Sequence, residues 1–247
     1  FAQYRAKLTK RQDQGEHWWE LRACAYWDRF DKPKVMYQDI TWNQRFCLDA
    51  DGTLCNNTVY FLPTDNPWAL AVLNAPVSWW FAWRTAQHGK DEALRLFTEY
   101  LNSFPIPKPT EDARESAVTA VHRLREIATD QQSGRRTVLD WLRAEFGIDK
   151  PSQKLADVAS LSADEFAAEV KKLRGRKAPL SAADHKRLRD EHAASVAPLQ
   201  ALAREAVQLE HRVSDLVNAA YGLTADEVRL MWDTAPPRMP TAQPTGV

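Results

Sequence analysis

Side chains able to grip phosphates and read base edges crowd one stretch of this sequence. Lys32, Lys34, Gln38, Asn43, Gln44, Arg45, Asn56 and Asn57 follow one another closely, and Arg84, Lys90 and Arg95 extend the set around the loop Gln87-His88-Gly89. Arginine can bridge O6 and N7 of guanine. Asparagine and glutamine can bridge N6 and N7 of adenine, and lysine holds phosphate oxygens. Singly, each of these residues is also what an ordinary solvated surface carries. The set gains meaning only from the elements that position it.

Catalytic chemistry has weaker support. The sequence holds no Gly-rich phosphate loop, no HExxH and no Asn-Pro-Pro-Tyr tetrapeptide of the kind that amino-methyltransferases use to hold a target base. Glu169-Val170-Lys171 echoes the Glu-x-Lys of many nucleases, but it sits in a helical pattern with no Pro-Asp partner before it, and reads as a solvated helix face. His185 and His192 lie two helical turns apart, too far to share one metal without a third ligand. Trp79, Trp80 and Trp83 could stack on unpaired bases. Among Val77, Phe81 and Ala82 at helical spacing they read as core, and Trp18, Trp19 and Trp27 read the same way.

The composition suits a folded chain with a sizeable core: 44% hydrophobic and 27% charged residues over 247 positions. The 33 basic and 33 acidic residues cancel, so any nucleic-acid affinity must come from a local patch. Cys24, Cys47 and Cys55 form no CxxC pair, which argues against zinc, and their odd number without a signal peptide suggests reduced thiols in the cytoplasm. No apolar run reaches membrane-spanning length; Trp68 to Trp83 comes nearest and is broken by Asn74 and Pro76. The chain opens on Phe1 and reads as a piece of a longer protein.

Texture changes at Phe104-Pro105-Ile106-Pro107-Lys108-Pro109, where alternating prolines can continue neither a helix nor an inner strand. Before it, strands are expected over Lys34–Ile40, Arg45–Leu48 and Thr58–Leu62, with a turn at Asp49-Ala50-Asp51-Gly52. Helices are expected over Pro67–Leu73 and Val77–Thr85, then a strand or short helix over Leu94–Leu101. After the prolines the pattern is helical: Asp112–Thr129, then Val138–Phe146 stopped by Gly147. Capping-box spacing marks Ser162/Glu165, Ser181/Asp184 and Thr224/Glu227. A heptad seam runs through Leu199, Leu202, Ala206, Leu209, Val213, Leu216 and Ala220, with a kink expected at Pro198. The fold class expected is α+β: a small mixed or antiparallel β domain with short helices over 1–109, a helical bundle or coiled hairpin over 110–235, and a disordered tail over 236–247.

Several motifs in fixed order resemble a known family. They are Trp18-Trp19-Glu20-Leu21-Arg22, then Phe30-Asp31-Lys32-Pro33-Lys34-Val35-Met36-Tyr37-Gln38-Asp39-Ile40, then Arg45-Phe46 with Asp49. Asn57-Thr58-Val59-Tyr60-Phe61, Leu70-Ala71-Val72-Leu73-Asn74 and Phe104-Pro105-Ile106-Pro107 follow. Together they resemble the TaqI-like specificity domain, the target-recognition part of adenine-N6 DNA methyltransferases and of fused type IIG restriction enzymes. Related domains occur in anti-phage methyltransferases of the BREX kind. Tyr221-Gly222-Leu223-Thr224 with Glu227 is similar to an ending common in these enzymes, although Ala220 replaces their leucine.

The resemblance implies a module that docks on double-stranded DNA and presents it to methyltransferase or nuclease domains of the same parent polypeptide, with no membrane partner. S-adenosylmethionine and Mg2+ would belong to those domains, with no cofactor and no catalytic residue in this chain. DNA contacts are expected from Lys32, Lys34, Gln38, Asn43, Gln44, Arg45, Arg84, Lys90 and Arg95. Pro33, Val35, Tyr37, Ile40, Tyr60, Phe61, Leu73 and Pro105 look like scaffold. The alternative is a helical structural or partner-binding region of a larger defence protein that reads no bases.

Overall fold

The computed structural model describes residues 1–175 and 179–244. The fold is α+β. A short helix α1 (Arg5–Leu8) opens an otherwise irregular N-terminal segment that leads into two small sheets. In the first, β1 (Lys34–Gln38) lies between β3 (Phe46–Asp49) and β4 (Val59–Leu62), antiparallel to both. In the second, β2 (Ile40–Thr41) pairs with β6 (Leu94–Arg95), which pairs with β5 (Gln87–His88).

The stretch expected as one strand over Lys34–Ile40 is therefore divided at Asp39. That residue leaves the first sheet through its N–H to Thr58 O at 3.3 Å, and joins the second by accepting from Leu96 N at 2.8 Å. Residues 34 to 37 of β1 are all buried, with no alternation between faces. Val35 and Tyr37 face the main core. Over the opposite face Phe30 packs on Phe61, ring centroids 5.2 Å apart, and Phe61 stands opposite Met36 in the sheet. Covered on both sides, the strand has no solvent face for a polar residue.

α2 (Pro67–Asn74) and α3 (Pro76–Thr85) each begin on a proline, whose fixed φ suits the first helical turn. Asn66 caps α2 by accepting from Trp68 N. α4 (Thr98–Asn102) follows β6 and leads to the proline run. Trp79 is fully buried, as its spacing suggests, but Trp19 and Trp27 are 45% and 61% exposed and do not join the core.

After the prolines comes α5 (Glu111–Phe146), one helix of 36 residues where two were expected. No proline interrupts residues 130–137, and Gly134 fits because another helix passes close by. Thr110 caps its start, Glu111 and Asp112 sit at the positive end of the helix dipole, and Gly147 ends it with φ 65°. α6 (Gln153–Ala156), α7 (Ala163–Arg174) and α8 (Ala182–Glu191) form a distal knob. α8 continues through a π turn (His192–Val196) into α9 (Ala197–Tyr221). Pro198 explains the π turn: it has no N–H to give, and the ladder shifts one residue so that Ala197 N bonds His192 O. α10 (Ala225–Asp233) closes the helical part. All three capping boxes form.

α5 and α9 pack antiparallel. Arg123 holds Glu205 in two hydrogen bonds of 2.6 and 2.9 Å, and Gly134 faces Leu199 further along. The heptad seam of α9 faces inward and serves two separate cores. Leu209, Val213, Leu216 and Ala220 join the core of the sheets, α2 and α3, together with Ala117, Ala120 and Val121 of α5. Leu199 and Leu202 join a second core built by Val138, Leu142 and Phe146 with the distal knob. The proline run thus marks a change of secondary structure, while the first core carries on across it into both long helices.

Residues 236–244, expected as part of a disordered tail, lie against the fold. Pro236 is buried, and Met239 packs on the first core. Trp79 Nε1 donates to Pro237 O at 2.9 Å, and His211 Nε2 bonds Ala242 O at 3.0 Å. The end of that expected tail, residues 245–247, lies outside the described residues. No helix among the described residues is long and apolar enough to cross a membrane.

Candidate nucleic-acid interface

A cleft of about 1260 Å³ separates the β2–β3 loop from the long helices. One wall carries Asn43, Gln44 and Arg45; the other is α5 from Val121 to Gln132, with Ala206, Glu210 and Val213 of α9 behind and Arg238 to Thr241 at one edge. The loop wall is held firmly. Thr41 Oγ1 donates to Asn43 O at 2.5 Å, and Gln44 Nε2 donates to Leu73 O. Asn74, at the end of α2, clasps the first residue of β3: its Oδ1 accepts from Phe46 N at 3.0 Å and its Nδ2 donates to Phe46 O at 2.9 Å. Arg45 stands between these anchors, exposed, with no hydrogen-bond or ionic partner among the described residues. Gln44 Oε1 is buried without a hydrogen-bond partner among the described residues.

The remaining expected contacts fall into two groups. Lys34, Arg84 and Arg95 are engaged within the protein. Lys34 is fully buried; its Nζ lies 2.5 Å from Asp49 Oδ2 and 2.7 Å from Phe30 O. It cannot reach DNA while β1 is covered on both faces, and this corrects the sequence expectation. Arg95 donates to both Asp39 carboxylate oxygens, at 3.0 and 2.7 Å, and lies over Phe97, so it ties the two sheets together at the point where the chain crosses between them. Arg84 lies 3.8 Å over the Trp80 ring and donates to Thr234 O at 2.8 Å, holding the end of the chain.

Lys32, Gln38 and Lys90 are exposed. Lys32 lies 3.7 Å from Asp28, its one ionic partner among the described residues. Lys90 is at the tip of the β5–β6 hairpin, next to Asp91 and Glu92, whose φ values of 56° and 60° are costly for residues with a Cβ. Trp42 Nε1, donating to Asp91 O at 2.9 Å, and Arg238, 3.7 Å from Glu92, hold that tip beside the cleft. Asn56 is used locally, its Oδ1 accepting from Thr58 N and Oγ1.

Charge in the cleft is mixed. Glu126 pairs with Arg123 at 3.1 Å and Arg238 with Glu92, while Arg45 and Arg125 have no ionic partner among the described residues and Asp51 and Asp130 also line the cleft. Burial pushes the Glu210 carboxyl up, His211 opposing it only in part, so the negative form is disfavoured at the back of the cleft. The expected contacts all lie before the proline run, so none of them falls on the helical wall. Its signal was present in the sequence, as exposed polar residues at helical spacing on α5. Among the described residues no three His, Cys, Asp or Glu side chains converge as a metal-binding group.

The small sheets and the long antiparallel helix pair together enclose the polar cleft. Residues 1–106 match the TaqI-like C-terminal specificity domain, which supports a DNA-recognition role for that part. Residues 88–217, more than half of the chain, match the family described as a domain of unknown function (DUF8810), and the chain belongs to that family. The two matches overlap from the β5–β6 hairpin to the proline run, in keeping with a first core that spans both parts. No curated protein and no solved structure matches the chain.

Proposed function

We propose that this chain is the sequence-reading module of a type IIG restriction–modification enzyme, an adenine-N6 DNA methyltransferase fused to an endonuclease. The observation that carries the reading is Arg45, an unpaired arginine on a firmly held loop, in a domain that matches a specificity family. Asn43 and Gln44 beside it offer the side chains that pair with adenine, and Arg45 the one that pairs with guanine. Binding groups on a loop fixed by a rigid scaffold lose little freedom on binding. Methyl transfer and cleavage would belong to other domains of the parent polypeptide, and so would S-adenosylmethionine and Mg2+; the cleft offers neither a Gly-rich donor loop nor a converging ligand set among the described residues. The exposed Trp19, Leu21, Tyr26 and Trp27 of the N-terminal segment would pack on those domains.

The test is alanine at Gln44, Arg45, Arg84 and Lys90 in the parent enzyme, with binding to cognate and scrambled duplexes measured over a range of salt. A base contact at Arg45 costs about 1–3 kcal/mol on cognate DNA and relaxes specificity at one position. A phosphate contact there weakens all sequences alike and flattens the salt slope by about one unit. If Q44A, R45A and K90A all leave affinity, specificity and slope unchanged, the reading head is not in this part.

A further inference from the structure

We infer that the exposed stripe His122, Arg125, Thr129, Gln132 and Arg136 on α5 is a second DNA-contacting surface, which grips the phosphate backbone of a duplex held against Arg45. The inference rests on the DNA-recognition reading and extends it to the helical part.

The five residues recur at intervals of three and four, so they form one line along the helix. All five are exposed, and none is acidic. Between Ile127 and Val138 no residue of α5 is buried, and this stretch spans the gap between the two cores. His122, Arg125, Thr129 and Gln132 line the same cleft as Asn43, Gln44 and Arg45, so the stripe and the loop face one ligand. Arg125 has no ionic partner among the described residues, and Arg136 has only Asp140, at 3.9 Å with both side chains mostly exposed. A pair of that kind contributes little and yields readily to phosphate.

Duplex DNA is the occupant that fits. From Arg125 to Arg136 the helix rises about 16 Å, roughly five base-pair steps of B-DNA. Arginine, glutamine, threonine and protonated histidine all donate to phosphate oxygens. Of the carboxylates on this wall, Glu126 is already held by Arg123, and Asp130 lies off the line of the stripe.

The experiment is salt-dependent binding of the full chain to a mixed-sequence duplex, followed by fluorescence anisotropy, for wild type, R45A, R125A/R136A, R125K/R136K and R212A. Arg212 is an exposed arginine of α9 that does not line the cleft. Loss of two phosphate contacts lowers the salt slope by about 1.8 and weakens binding about eightfold per contact at 0.1 M salt. The lysine variant retains most of the affinity, R212A matches wild type, and all melt as wild type does. If R45A weakens binding while R125A/R136A does not, the helix stripe is wrong and the recognition reading stands. If R212A has the same effect as R125A/R136A, the stripe has no special role and the inference fails. If wild type shows no salt-dependent binding, the recognition reading fails and the stripe with it.

Discussion

Lys34 and Asp49 stand directly opposite each other in the antiparallel pair of β1 and β3, and their side chains meet at 2.5 Å with Lys34 fully buried. Burial alone would raise the Asp49 carboxyl, but hydrogen bonds from Lys34 and Thr53 overcome it and hold the group at about 2. The folded value lies below the ordinary 3.8, so the carboxylate favours folding above that value. This contribution, about 2 kcal/mol, is complete above pH 4 and is lost as pH falls from about 4 to about 2. K34M leaves the carboxylate almost buried without its partner and lowers stability by about 3 kcal/mol at pH 7. The measurement is thermal melting from pH 2 to 7: the difference between wild type and K34M narrows towards pH 2, and a constant difference would mean the pair does not couple to folding.

Glu210 behaves in the opposite sense. Burial at the back of the cleft raises its folded value above the ordinary 4.5. The folded state then holds its proton more tightly, so this group costs stability as pH rises through its folded value. E210Q therefore raises the melting temperature at pH 7 to 8 and has no such effect at pH 4. A lower melting temperature for E210Q at pH 8 would show that the charged carboxylate has a partner in the fold.

Much of this architecture was legible in the sequence, and the misses have physical causes. Capping boxes at Ser162, Ser181 and Thr224, and the stop at Gly147, depend on a few adjacent residues, so local chemistry shows them directly. The seam of α9 was legible as a period, but not the fact that its two halves serve different cores, because that depends on what α5 and the knob bring to it. Lys34 shows the limit for the site. A lysine in a short polar-looking strand reads as a surface cation, and only the pairing with Asp49 and the cover from Phe30 reveal it as buried. The loop Asn43–Arg45 was legible by residue type, whereas the wall opposite it comes from α5, far along the chain.

At Gly134 the two long helices approach closely. A Cβ placed there would lie 2.6 Å from Leu199 Cδ2, and Leu199 is itself buried in the second core. Valine adds two methyl groups at that contact and forces the helices apart or Leu199 off its rotamer. Overpacking of this kind costs about 1–3 kcal/mol, more than the few tenths gained from helix propensity. G134V is expected to melt a few degrees lower than wild type. An unchanged or higher melting temperature would show that Leu199 has room to move and that the close approach does not set the helix spacing.

The contacts of residues 234–244 set Arg84 apart from Arg45. Trp79 Nε1 donates to Pro237 O at 2.9 Å, Trp80 Nε1 to Thr234 Oγ1 at 3.0 Å, and Arg84 to Thr234 O at 2.8 Å. Arg84 also lies over Trp80, an arrangement worth about 0.5–1 kcal/mol at an exposed site. These contacts place Arg238 to Thr241 at the edge of the cleft. Arg84 thus holds the segment that edges the cleft. R84A is expected to lower stability by about 1–2 kcal/mol, from the lost ring contact and the lost charged hydrogen bond, and to leave the salt slope of DNA binding as in wild type. Ending the chain at Asp233 removes the same contacts together with Met239 from the first core, so its loss of stability exceeds that of R84A, and adding R84A to it costs little more. Melting curves of the single change, the shortened chain and the combination measure this coupling. If R84A flattens the salt slope by about one unit, as a phosphate contact does, Arg84 faces DNA after all and its bond to Thr234 is incidental.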